Sequence, residues 1–150
     1  GTNLLPARIE SCEGILRAAS GKPMTFDEAV KEGLFDVACV VPEELMDAAR
    51  YWIAGRNAKG RPERDGAPSR WIGRPDAADG VRHGLKTCRR ELPKTKAAQA
   101  VVECVEIGLS EGWSEALRGE RSRLVKLRHT PEAKEAIARF FAKSAKSARR

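Results

Sequence analysis

The stretch GKPMTFDEAVKEGLFDVACVVPEEL, residues 21–45, sets a helix, a strand and the start of a second helix in close succession. Thr25 followed three residues later by Glu28 makes a capping box, in which the threonine hydroxyl accepts from a first-turn amide and the glutamate reaches back to the cap. A helix is expected to start at Thr25. Phe26, Val30 and Leu34 continue at helical spacing, and Gly33 lets the chain leave the helix in a left-handed conformation. Val37, Ala38, Cys39, Val40 and Val41 then form a continuous run of small apolar residues, as in a strand buried on both faces. Pro42 stops that run and fits the first turn of another helix, whose positive end favours Glu43 and Glu44.

Outward from this stretch the chain reads as helical. Before it, Ala7 to Ser20 places Ile9, Cys12, Ile15, Leu16 and Ala19 on one face, the stripe of a packed helix. After it, Pro42 to about Gly55 puts Leu45, Met46, Ala49, Trp52 and Ile53 on a buried side. Residues 55–80 hold five Gly, three Pro and five Arg, a composition that breaks helix and strand alike. Loops of that length are usually functional or disordered, and Trp71 and Ile72 are the residues able to pin this one down. Beyond it come a weakly patterned segment, 80–90, and three apolar stripes. The first runs through Ala98, Val101, Val102, Val105 and Leu109, and the second through Trp113, Leu117, Leu124 and Leu127. The third comprises Ala133, Ala136, Ile137, Phe140 and Phe141, behind the start signal Thr130-Pro131-Glu132.

Composition narrows the function classes. With 41% apolar residues the chain can build a core, yet one strand among some six helical stretches cannot form a sheet by itself. Either the chain is a helical bundle, or the rest of the sheet comes from another polypeptide. The formal charge is +7, crowded into Arg56–Lys96 and Lys143–Arg150, and such a field recruits polyanions. Nucleic acid is not expected, because aromatic residues are 5% of the chain and no groove-reading or base-stacking pattern is present. Cysteines 12, 39, 88 and 104 lack metal or disulfide spacing and read as buried thiols in a reducing, cytoplasmic setting. His83 and His129 stand among charged residues with no ligands at metal spacing. Glu115 with Arg118, and Glu120 with Arg123, have the spacing of surface charge pairs. No apolar run reaches membrane-spanning length, and no membrane partner is expected.

Taken as a phrase, Gly-Lys-x-x-Thr-x-x-Glu-Ala-x-x-x-Gly-Leu-x-Asp-x-x-x-x-Val-Pro-x-Glu-Leu resembles the enoyl-CoA hydratase/isomerase family, the crotonases. Gly1, Thr2, Leu5 and Pro6 resemble the end of that family's glycine-rich Pro-Gly-x-Gly-Gly-Thr-x-x-Leu-Pro segment. Residues 111–141, EGWSEALRGERSRLVKLRHTPEAKEAIARFF, are similar to its closing helices, in the Thr-Pro-Glu-Ala form found in the hydratase part of multifunctional fatty-acid oxidation proteins. The likeness leaves out roughly the loop from Gly55 to Gly80.

The resemblance implies the carboxyl-terminal portion of an α/β crotonase fold, a ββα superhelix, mostly α within this chain, with one strand near 36–41. Residues 1–57 would end the spiral core, 58–80 would be a Gly/Pro/Arg-rich loop, and 81–150 would be a trimerisation-type helical region. Crotonase chemistry needs two N–H groups aimed at a thioester enolate and carboxylates that move protons and water. In the family those parts precede the segment matched here. No catalytic residue and no metal ligand is therefore assigned, and this chain alone is expected to be inactive. Hydration of a 2-enoyl-CoA is the expected activity once a complementary amino-terminal segment is supplied, as a separate chain or one lost by cleavage. Isomerase or acyl-CoA hydrolase activity is the alternative within the family. A basic, non-catalytic helical module binding an acidic partner is the alternative outside it. The implied substrate contacts are Ile15 and Leu16 beside the acyl chain, and Phe141, Lys143, Lys146 and Arg149 at the adenine and 3′-phosphate of coenzyme A. Coenzyme A enters as part of the substrate, and no cofactor is expected. A homo-oligomer of trimer type is expected as well.

Overall fold

A computed structural model of the chain describes residues 1–39, 41–58 and 65–147, and side chains over 1–39, 41–55 and 65–142. The described residues form seven α-helices: α1 Ser11–Ser20, α2 Phe26–Lys31, α3 Leu45–Ala58, α4 Pro75–Cys88, α5 Lys96–Glu111, α6 Trp113–Arg128 and α7 Pro131–Ser147. Short 3-10 turns at Leu5–Ala7 and Pro42–Glu44 lead into α1 and α3.

Four of these helices form the packed body. Ile15 of α1, Val81, Leu85 and Cys88 of α4, Val105 of α5 and Ala116 of α6 meet around Trp71 and Ile72. Ile15 and Ile72 are wholly excluded from solvent. Glycines set the spacing. A Cβ on Gly84 would lie 2.7 Å from Ser11 Cβ and 2.9 Å from the Cys12 nitrogen, so α1 and α4 cross almost backbone to backbone. A Cβ on Gly14 would lie 2.8 Å from Pro6 Cα, which seats the first turn of the chain on α1 in the same way.

The second half of the expected loop is ordered. Arg74 clamps it through paired bonds to Asp65 at 2.7 and 3.0 Å and through the carbonyls of Pro68 and Ala67. Trp71 packs edge-on against Trp113 with centroids 5.3 Å apart, and the Ile72 amide donates to the Asn3 carbonyl. The loop anticipated over 58–80 is cut short, because α4 begins at Pro75 rather than after Gly80. Proline at the first helical position supplies the start that the glycine-rich composition concealed. Residues 59–64 lie outside the described residues.

Two further expectations are corrected. Residues 37–39 have no regular secondary structure, and no strand is present among the described residues. A strand is held by hydrogen bonds to a neighbour, and this segment has none within the described chain. Val40 lies outside the described residues. On α6 the leucine stripe does not face the core: Ala116 and Gly119 pack against α5, while Leu117 and Leu124 remain exposed. The small pair lets α5 approach closely, with Ile107 Cδ1 only 3.2 Å from where a Gly119 Cβ would stand.

Helices α2, α3 and α7 stand outside this body. Each has the apolar periodicity read from the sequence, but Leu45 is 61% exposed, Ile53 54% and Phe140 67%. Among the described residues α7 packs its backbone on α6 and touches α5 only through the exposed Lys96–Glu132 pair, and α3 packs on no other α-helix.

Candidate docking groove and ligand-contact surface

The corner that follows α2 is built by local sequence and then latched from a distance. Thr25 and Glu28 form both halves of the capping box, the amide of Glu28 donating to Thr25 and that of Thr25 to Glu28. Gly33 turns the chain out of the helix at φ 73°. Arg8 then donates to the Leu34 carbonyl and pairs with Asp36 at 3.1 Å, while Arg70 reaches Asp36 at 3.4 Å and the carbonyls of Arg8 and Gly33. Burial opposes ionisation of Asp36, but the guanidiniums of Arg8 and Arg70 outweigh it and hold the carboxyl below the ordinary aspartate range.

Past this latch, Phe35, Val37 and Cys39 face Leu45, Ala49, Trp52 and Ile53 of α3 across an open apolar groove of about 430 Å³. Arg8 and Asp36 form its polar edge. A one-sided apolar groove beside a segment without regular secondary structure is chemically a surface for another apolar element.

A second, larger cleft of about 760 Å³ lies between the end of α1, residues 93–97 and α7. Lys94, Lys96 and Arg139 line it together with Thr130 and Glu132. Lys96 pairs with Glu132 at 3.7 Å, and backbone hydrogen bonding, aided by the Lys96 charge, keeps the Glu132 carboxyl below its ordinary range. The cleft is positively charged at its rim.

The substrate contacts expected from the sequence are spread apart. Ile15 is locked in the core, and Leu16 is partly buried against the same cluster. Phe141 is exposed on α7, its ring edge-on to Phe140 at 5.7 Å. Lys143 and Lys146 belong to the last turns of α7, with side chains outside those described, and Arg149 lies outside the described residues. Neither of these two cavities is lined by both α1's apolar pair and the α7 tail.

Several polar residues have structural duties that local spacing did not reveal. Glu120 does not pair with Arg123; its Oε1 accepts from both the amide and the Nδ2 of Asn3, at 2.8 and 2.9 Å. Arg123 instead meets Glu103 at 2.7 Å. Asn3 is fully buried and its Oδ1 has no hydrogen-bond partner among the described residues. His129 Nε2 accepts from Arg128, and Thr130 caps α7 through the Ala133 amide. Among the described residues no group of three His, Cys, Asp or Glu side chains could hold a metal ion. Among those residues, also, no helix is long and apolar enough to cross a membrane.

Comparison with known proteins adds an end-to-end likeness. The chain is 28% identical, over 95% of its length, to the glyoxysomal fatty acid beta-oxidation multifunctional protein MFP-a of Cucumis sativus. It is 28% and 29% identical, again over 95% of its length, to fatty acid oxidation complex subunit alpha of two Vibrio cholerae strains. In each case it spans 20% of the relative's own length. No family profile matches the chain, and no solved structure does.

Proposed function

We propose that this chain is the carboxyl-terminal portion of a crotonase-type unit acting on fatty acyl-CoA thioesters, most simply by adding water across a 2-enoyl-CoA. The observation that carries this reading is the likeness to fatty acid oxidation proteins along 95% of the chain. The apolar groove between Phe35–Cys39 and α3 supports it, because an apolar groove flanked by backbone outside regular secondary structure suits a sheet brought by a complementary segment.

In this reading the chain supplies architecture and ligand contacts, and the complementary segment supplies chemistry. That segment brings the two N–H donors that stabilise the thioester enolate and the carboxylates that deliver water to C3 and a proton to C2. Leu16, less enclosed than Ile15, is the acyl-side contact of α1. Phe141, Lys143, Lys146 and Arg149 attend the nucleotide end of coenzyme A, and the basic rim of the α7 cleft strengthens the pull on its phosphates. The assembly is cytoplasmic and of trimer type, with isomerase or hydrolase activity as variants of the same enolate site.

The test is purification of the native particle followed by crotonyl-CoA assay, watching loss of the conjugated thioester's ultraviolet absorbance. The reading requires turnover by the particle and none by this chain alone. A particle that binds coenzyme A but leaves crotonyl-CoA unchanged removes the hydratase assignment and leaves the other enolate reactions. A second reading rests on Lys86, Arg90 and Lys94, which face solvent: a basic module for an acidic partner. A stable monomer that ignores coenzyme A and is retained by a polyanion column in a salt-dependent way favours that reading.

A further inference from the structure

Two cysteines far apart in sequence come together at the close crossing of α1 and α4. Cys12 stands in the first turn of α1 and packs against the core cluster to which Cys88, the last residue of α4, belongs, and the two thiols are near enough to influence each other's titration. The joint brings them there by construction. Gly84 admits the backbone of Ser11 and Cys12 against α4, and Cys88 follows one turn later on the same face. Cys88 is excluded from solvent within the core cluster, whereas Cys12 is partly exposed and packs on that cluster from outside.

We propose that Cys12 and Cys88 are a reversible modification site, a dithiol that a small-molecule disulfide converts into an intramolecular disulfide tying α1 to α4. The two positions have distinct parts. Cys12, the reachable one, attacks a sulfur of oxidised glutathione as the thiolate; the glutathione S–S bond breaks, one glutathione leaves, and a mixed disulfide remains on Cys12. Cys88 then loses its proton to water and attacks Cys12 Sγ, expelling the second glutathione. Both electrons leave the protein pair for glutathione, and a thiol reductant reverses each step.

Burial sets the order of events. Desolvation, with Cys12 as neighbour, pushes the Cys88 thiol up to about 12, so it does not initiate exchange and serves as the resolving group. Burial first, then the carboxylates of Glu10, Glu91 and Glu13, raise the Cys12 thiol against the lowering bond from Cys88. The exchange is accordingly slow at neutral pH and is driven by mildly alkaline conditions. Once formed, the bond closes a loop that contains α2, α3 and every lining residue of the docking groove except Arg8, constraining the unfolded chain.

The experiment treats the intact chain with oxidised glutathione at mildly alkaline pH, quenches with acid, and maps peptides by mass spectrometry without reduction. The expected product joins the Cys12 and Cys88 peptides, is lost on treatment with dithiothreitol, and raises the thermal midpoint by about 5–15 °C. In Cys88→Ala, glutathione should remain attached to Cys12; in Cys12→Ser, Cys88 should stay unmodified. Persistent glutathione on Cys12 of the unaltered chain, or a link through Cys39 in place of Cys88, overturns the proposal. Because this readout needs neither acyl-CoA nor a partner, its failure is separate from any failure of the hydratase reading.

Discussion

The four-helix body and the outlying helices carry the same kind of apolar stripe and meet opposite fates. Ile15 on α1 is wholly buried, while Ile53 on α3, at comparable helical spacing, is 54% exposed. Periodicity says which face of a helix is apolar; it does not say whether this chain provides the opposing surface. The body provides it through glycines at the crossings and through Trp71 and Ile72. Among the described residues the outlying elements do not: α3 faces the 35–39 segment across an open groove, and α7 packs on α6 and touches α5 through the exposed Lys96–Glu132 pair. Fully covering a large apolar side chain contributes about 1.5–3 kcal/mol, so several such residues left in water represent a large unrealised association energy. Exposed patches of this kind mark interaction sites.

The contrast is broken most severely by truncation in each region. Ile15→Ala should destabilise the chain by about 2–5 kcal/mol in urea unfolding, through lost transfer energy and a cavity. Ile53→Ala should stay within about 0.5 kcal/mol. Equal losses at the two positions would mean that α3 is packed in solution. Next in size, Gly84→Ala should cost about 1–3 kcal/mol by forcing α1 and α4 apart at Ser11 and Cys12. It should also slow closure of the Cys12–Cys88 bond, which peptide mapping would reveal.

Glu120→Ala removes the acceptor shared by the Asn3 amide and Nδ2, and a loss of about 1–3 kcal/mol is expected from leaving buried donors unpaired. The matching change at an exposed pair, Glu135→Ala beside Arg139, should fall within about 0.5 kcal/mol. If both changes were equally mild, the buried attachment of Asn3 to α6 would not be holding the chain's beginning in place.

The smallest effect concerns the latch at Asp36. Its carboxyl titrates below the ordinary value of 3.8, so its ion pairs contribute fully above that value. Their contribution fades as pH falls through the depressed folded value. Hydrogen exchange should therefore rise at residues 33–36 on acidification before it rises at Ile15 or Val105. Arg70→Met should reproduce that local loosening at neutral pH. Simultaneous loosening of both regions would dissolve the distinction between a latched corner and an independent core.

What the sequence disclosed was mostly local. The Thr25–Glu28 box, the Gly33 exit, the Thr130 cap and the anchoring pair Trp71–Ile72 all stand where their residue types require. Contacts between distant residues were invisible. Nothing near Glu120 points to Asn3, nothing near Glu103 points to Arg123, and Cys12 with Cys88 looked like unrelated thiols. The face of α6 misled because leucine spacing outweighed Ala116 and Gly119, yet close helix approach favours the small residues. The strand near 36–41 was legible as an apolar run, but a strand's bonds lie with its neighbour, and the described chain holds none. For the expected ligand contacts, the stripe reading of Ile15 held as packing and gave no evidence of access.

The central claim is that the outlying apolar surface belongs to a complementary polypeptide segment. Native mass spectrometry of the particle purified from its own source tests it most directly. The account predicts this chain in stoichiometric association with a crotonase-like segment, in an assembly that hydrates crotonyl-CoA. A lone monomer of 16.5 kDa, with α3 and residues 35–39 as protected from exchange as Ile15, would contradict it.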